Sequence, residues 1–162
     1  MNALWNTPIF TINQQRFALQ VDPSQSVAAL VQAEQFRQVA EEFKTYIKTE
    51  VGRVPYAATA VVVQLAQTVS VDSVMKGLAG CKLRAATGRE LLHAVSPLRS
   101  FGLQRGVLAI AAASEQRLHG YAGYPFVALR DGRLAALYMF PGRQGSACLQ
   151  AGTNILAIEY VP

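Results

Sequence analysis

Cys81, Glu90, His93 and His119 are the side chains of this sequence best suited to covalent or proton-transfer chemistry. A thiolate nucleophile needs a base within hydrogen-bond reach, and the base needs a carboxylate to orient it. Glu90 and His93 stand three positions apart, so on a helix they share a face, but no spacing brings Cys81 or His119 to them. Two histidines and two cysteines, with no CxxC pair and no matched carboxylate cluster, offer no zinc site. Cys81 and Cys148 are therefore expected to be buried thiols. No glycine-rich run ends in Gly-Lys-Ser/Thr, so a phosphate loop is absent as well. The expectation is a chain with no catalytic residue, no metal ligand and no cofactor.

Binding chemistry has more to work with. The segment from His119 to Pro125 carries two tyrosines and two glycines ahead of an apolar stretch. It reads as an aromatic ligand loop, in which His119, Tyr121 and Tyr124 stack on a base or line a pocket, or else as a plain connection whose tyrosines pack on a sheet edge. Arginines outnumber lysines eleven to four, and arginine's planar donors suit phosphate. The charge is uneven: Met1 to Cys81 is balanced, while Lys82 to Arg143 holds nine basic against three acidic residues, and the whole chain carries +5. An anionic partner would meet that middle segment. Arg84, Arg89, Arg99 and Arg105 surround an expected helix and are the candidate nucleic-acid contacts, whereas Arg130 and Arg133 flank a hairpin turn that accounts for their charge by itself.

Positioning these residues falls to elements that the hydrophobic pattern outlines. Ile9 to Val21 alternates on both sides of Asn13-Gln14-Gln15-Arg16 and predicts a hairpin. Val27 to Val51 repeats apolar residues at three- and four-residue steps and predicts one long amphipathic helix that Gly52 stops. Tyr56 to Val71 is valine-rich and reads as a buried strand, with a helix as the alternative. Asp72 is placed to cap a short helix through Leu78. Thr87-Gly88-Arg89-Glu90 fits a capping box, opening a helix that Ser96-Pro97 ends. Val107 to Ala113 predicts a short strand. Asp131-Gly132 between Pro125–Arg130 and Arg133–Phe140 predicts a two-residue hairpin, because both central residues accept positive φ. Ala147 to Gln150 and Ile155 to Val161 complete a C-terminal meander.

The sum is one α+β domain over residues 1–162, with one long helix and shorter helices packed on a mainly antiparallel sheet. No apolar run approaches the roughly 20 residues of a membrane span, and the first residues lack a secretory pattern, so a soluble cytoplasmic protein without a membrane partner is expected. Charged residues make up 15% of the chain, against about 25% in an average domain. A surface so poor in charge points to a homo-oligomer or a larger assembly. The functional expectation is a non-catalytic structural or assembly subunit whose basic segment, residues 82–143, faces RNA, DNA or another acidic partner. The alternative is a small enzyme or ligand-binding domain with an aromatic pocket between sheet and helix, walled by Tyr121, Tyr124, Phe126, Tyr138 and Phe140, with Glu90 or His93 as its base.

Overall fold

In chain order the computed structural model, which describes residues 8–46, 54–101, 103–143 and 146–160, runs β1 (Phe10–Val21), α1 (Val27–Ala33), β2 (Gln38–Val39), α2 (Glu41–Tyr46), β3 (Tyr56–Leu65), β4 (Val69–Ser70), α3 (Val71–Gly80), β5 (Leu83–Ala85), α4 (Gly88–Phe101), β6 (Val107–Leu108), β7 (Gln116–Leu118), β8 (Tyr121–Arg130), β9 (Arg133–Arg143), β10 (Cys148–Leu149) and β11 (Asn154–Glu159). The fold is mixed α+β. Its main sheet has the order β1-β3-β11-β6-β8-β9-β2, with β5 beside β11 and β7 beside β8, while β10 and β4 pair separately. The β6–β11 and β2–β9 pairings are parallel and the other pairings are antiparallel.

Both faces of the sheet centre are covered, and the pleat shows how. Ala60 and Val62 of β3 and Leu156 and Ile158 of β11 point into one core with α1, α2 and α4. Val61, Val63, Ile155 and Ala157 point the other way, into a second core with α3 and β10. A strand buried on both faces reads as a continuous apolar run, which is why the valine-rich Tyr56 stretch forms a strand. It ends at Leu65, and α3 begins at Val71. Ser70, not Asp72, caps that helix, accepting from the Ser73 amide at 3.2 Å.

Several expectations are overturned. Phe10–Val21 is one strand along β3 and not a hairpin. The Asn13–Gln15 stretch is a bulge, since Ile12 pairs with Val63 and Arg16 with Val61, and the Asn13 side chain accepts from the Gln15 amide at 2.7 Å. Two extra residues leave the alternation in step, so Phe10 faces the α3 core while Phe17, Leu19 and Val21, each an odd number of positions further on, face the other. The long helix from Val27 is broken. Gln35 adopts φ 56°, and the Phe36 amide donates back to the Val31 carbonyl at 3.3 Å, a left-handed helix end that does not need glycine at every occurrence. The chain then lays Gln38 and Val39 beside Ala135 and Ala136 of β9 before α2 begins; the expected stop at Gly52 lies outside the described residues.

Among the described residues the longest helix is instead α4, with 14 residues, which passes through Pro97. Proline there forfeits one backbone hydrogen bond, but Leu91, Leu92, Val95 and Leu98 are all at most 1% exposed, and their burial outweighs that loss. Val107–Ala113 yields only a two-residue strand followed by a 3-10 turn at Ala112–Ser114. The C-terminal meander extends only over β7, β8 and β9; β10 leaves the sheet for β4, and β11 enters its middle between β3 and β6. The Asp131-Gly132 hairpin forms as expected, with φ of 51° and 73° and Arg130 opposite Arg133.

Candidate anion-binding face

The catalytic candidates do not converge. Cys81 caps the end of α3 and is exposed, as is Cys148, so the expected burial of both thiols is corrected: each falls on the outer side of its element. His119 lies at φ 51° in the tight turn that joins β7 to β8. His93 is half-buried on α4, and its Nε2 accepts from the Asp22 amide at 3.4 Å; burial, with Arg89 nearby, lowers its pKa. Among the described residues no group of three or more His, Cys, Asp or Glu side chains could hold a metal ion.

Glu90 is the most constrained ionisable group. The capping box forms in both directions: the Glu90 amide donates to Thr87 Oγ1 at 3.2 Å and the Thr87 amide donates to Glu90 Oε2 at 2.9 Å. The same carboxylate receives Arg84 at 2.6 and 2.9 Å and the Tyr56 hydroxyl at 2.7 Å. Burial works against its charge, but Arg84, the Thr87 amide and Tyr56 outweigh it and hold the pKa below the ordinary value. A carboxylate pinned ionised by four donors is a joint between β3, β5 and α4, poorly suited to take up a proton.

The aromatic segment is a hairpin rather than an open loop. His119 and Gly120 form a two-residue turn, with Leu118 opposite Tyr121. Gly123 is required because the Phe140 ring lies where its Cβ would be, 2.4 Å away. Tyr124 is 3% exposed and its hydroxyl donates to Glu115 at 3.3 Å; burial and that carboxylate push its pKa up. Tyr121 is exposed, with Arg143 over its ring at 5.9 Å. Tyr124 and Phe126 belong to the α3 core and Tyr138 to the opposite one, so these rings do not wall a common pocket.

The four arginines singled out in the sequence are spread over the molecule. Arg84 is tied to Glu90. Arg89 is buried on α4 and donates to the Gln25 carbonyl. Arg99 is half-exposed and bonds the Glu34 carbonyl at 2.8 Å, and Arg105 is exposed in a 3-10 turn at Leu103–Arg105.

A denser group forms at the β2 border of the sheet. Arg37, Arg130, Asp131 and Arg133 line one cleft of about 670 Å³, and Arg37, Arg99 and Arg133 line an adjoining one of about 370 Å³. No family model matches this chain. No curated protein and no solved structure matches it either. The clefts are built by the break after α1: the Arg37 amide donates to the Leu134 carbonyl at 2.9 Å, which brings Arg37 beside the Asp131-Gly132 turn, and Arg99 arrives from the last turn of α4. Arg37, Arg130 and Arg133 make no ion pair among the described residues. Sequence reasoning missed Arg37 because it sat inside a supposed helix, and set Arg130 and Arg133 aside as turn residues. Exposed cations from three distant segments meeting in one place concentrate positive charge there.

Proposed function

We propose that this chain is a non-catalytic, cytoplasmic assembly subunit that binds the phosphodiester backbone of nucleic acid through Arg37, Arg99, Arg130 and Arg133. The observation that carries the reading is the convergence of these guanidiniums around two clefts, three of them without a carboxylate partner among the described residues. Planar arginine donors in open clefts engage phosphate oxygens pairwise. Among the described residues no helix is long and apolar enough to cross a membrane.

The test is anisotropy with a labelled single-stranded octamer between about 50 and 200 mM salt. Four phosphate contacts give a slope of log K against log salt of about −3. The Arg37→Gln/Arg130→Gln/Arg133→Gln variant should flatten it to about −1, whereas Arg105→Gln should leave it alone. Absence of binding by the wild type, or equal loss in both variants, removes the reading.

Self-association is the second half of the proposal. Of the two C-terminal strands, β11 lies inside the main sheet and offers no free edge, whereas β10 has a neighbour on one side only, β4. The border strand opposite β2 is β1, twelve residues with Arg16 as the only charge, and that arginine pairs with Glu159. Edges with so few charges pair readily with another chain. A monomeric mass by light scattering at micromolar concentration would remove this half alone.

A further inference from the structure

A cleft of about 970 Å³ opens between α1, the start of α2 and the loop before α1. Its lining includes Val27, Val31 and Phe36 together with Gln25, Gln32 and Arg89. Phe36 is half-buried, packed against the core behind it. Arg89 is held in place through its bond to the Gln25 carbonyl, and it brings a permanent charge and several N–H donors to a wall that also carries Ser24, Ser26, Glu41 and Lys44. Gln35, the residue whose positive φ ends α1, lines this cleft and also the smaller arginine cleft. The two therefore adjoin across one residue.

We infer that the polyanion is single-stranded and that one of its bases enters the α1–α2 cleft, against Phe36 and within reach of Gln25, Gln32 and Arg89, while its phosphates lie on the arginines beyond Gln35. The inference rests on the nucleic-acid reading above and adds the source of strand selectivity. A base in a duplex hides its faces in the stack and its polar edge in pairing, whereas an unpaired base offers both. The aromatic ring supplies a stacking surface, and side-chain amides with a guanidinium supply donors and acceptors for the base edge. The cleft falls within the usual volume range of small-molecule sites, ample for a nucleoside. Charge complementarity selects the occupant: a neutral apolar ligand would use the aliphatic wall but neither Arg89 nor the neighbouring arginines.

The experiment compares a random-sequence single-stranded DNA octamer with an octamer of abasic tetrahydrofuran phosphodiester units, both labelled, at about 150 mM salt. The base-bearing octamer should bind about tenfold more tightly, one stacked base being sufficient for that ratio. Phe36→Leu keeps an apolar side chain and removes the aromatic face; it should reduce the ratio to about twofold and leave abasic binding unchanged. Gln25→Ala/Gln32→Ala trims two side chains away from the core and should reduce the ratio as well, which decides the matter if Phe36→Leu does not fold. Equal affinity of the two octamers for the wild type overturns the inference and leaves the arginine site standing. A ratio that persists in the variants also overturns it. If neither octamer binds, the nucleic-acid reading itself fails.

Discussion

Replacing Glu90 by glutamine should destabilise the protein by about 3 kcal/mol at pH 7, and the shortfall should narrow on acidification. The side chain is 1% exposed and accepts from Arg84, Thr87 and Tyr56. Removing one partner of a buried ion pair costs about 3–5 kcal/mol. Arg84, however, is 39% exposed, so water recovers part of that loss. Glutamine keeps the shape and one acceptor oxygen but presents an NH₂ where the replaced oxygen accepted two bonds, each worth about 1–2 kcal/mol. The folded-state pKa of Glu90 is depressed, so its contribution is fully present above the unfolded carboxyl value and is lost as the pH falls through the folded value. The assay is urea unfolding at pH 7 and again below the ordinary glutamate range. With a slope of about 2 kcal/mol/M, the variant's midpoint should fall by about 1.5 M at neutral pH and approach that of the wild type in acid. A midpoint shift under about 0.3 M at pH 7, or one that stays constant with pH, would refute the account of Glu90 as the charged joint of β3, β5 and α4.

Gly106 has φ +75°, and a Cβ there would lie 2.0 Å from the Phe126 ring, so Gly106→Ala should cost more than about 2 kcal/mol in the same unfolding assay. Gln35→Gly should stabilise by about 0.5–1 kcal/mol, because glycine suits the left-handed end of α1; a loss of stability would contradict the assigned helix end. Cys81 and Cys148 are both exposed, and two thiols should react with a chromogenic disulfide reagent in the folded protein without denaturant.

Local chemistry was legible in the sequence where a residue pattern has one cheap structural solution. Asp131-Gly132 formed its hairpin because two consecutive positive φ values are tolerated there by few other pairs. Thr87 and Glu90 formed their capping box because the partners are three residues apart and need no tertiary help. Reading failed where distant contacts decide. The apolar spacing runs unbroken from Val27 to Phe43, yet β2 lies between, since the Arg37 and Ala40 amides find acceptors at Leu134 and Ala136 of β9. Asn13-Gln14-Gln15-Arg16 resembled a turn but became a bulge, because β3 is long enough to pair on both sides of it. Pro97 resembled a helix stop, and the packing of Leu98 against the core carried α4 past it. The position of β11 is a matter of topology that no local pattern encodes. The arginine face depends on two of these outcomes: Arg37 joins Arg130 and Arg133 because the first helix breaks, and Arg99 reaches them because α4 continues past Pro97.

Chemical-shift mapping of isotope-labelled protein with the single-stranded octamer tests the central claim most directly. The account predicts the largest changes at Arg37, at Arg130 through Arg133 and at the Arg99 side chain, diminishing as salt is raised. Changes centred on Arg84 and Arg105, or a spectrum that the octamer leaves unaltered at about 50 mM salt, would contradict it.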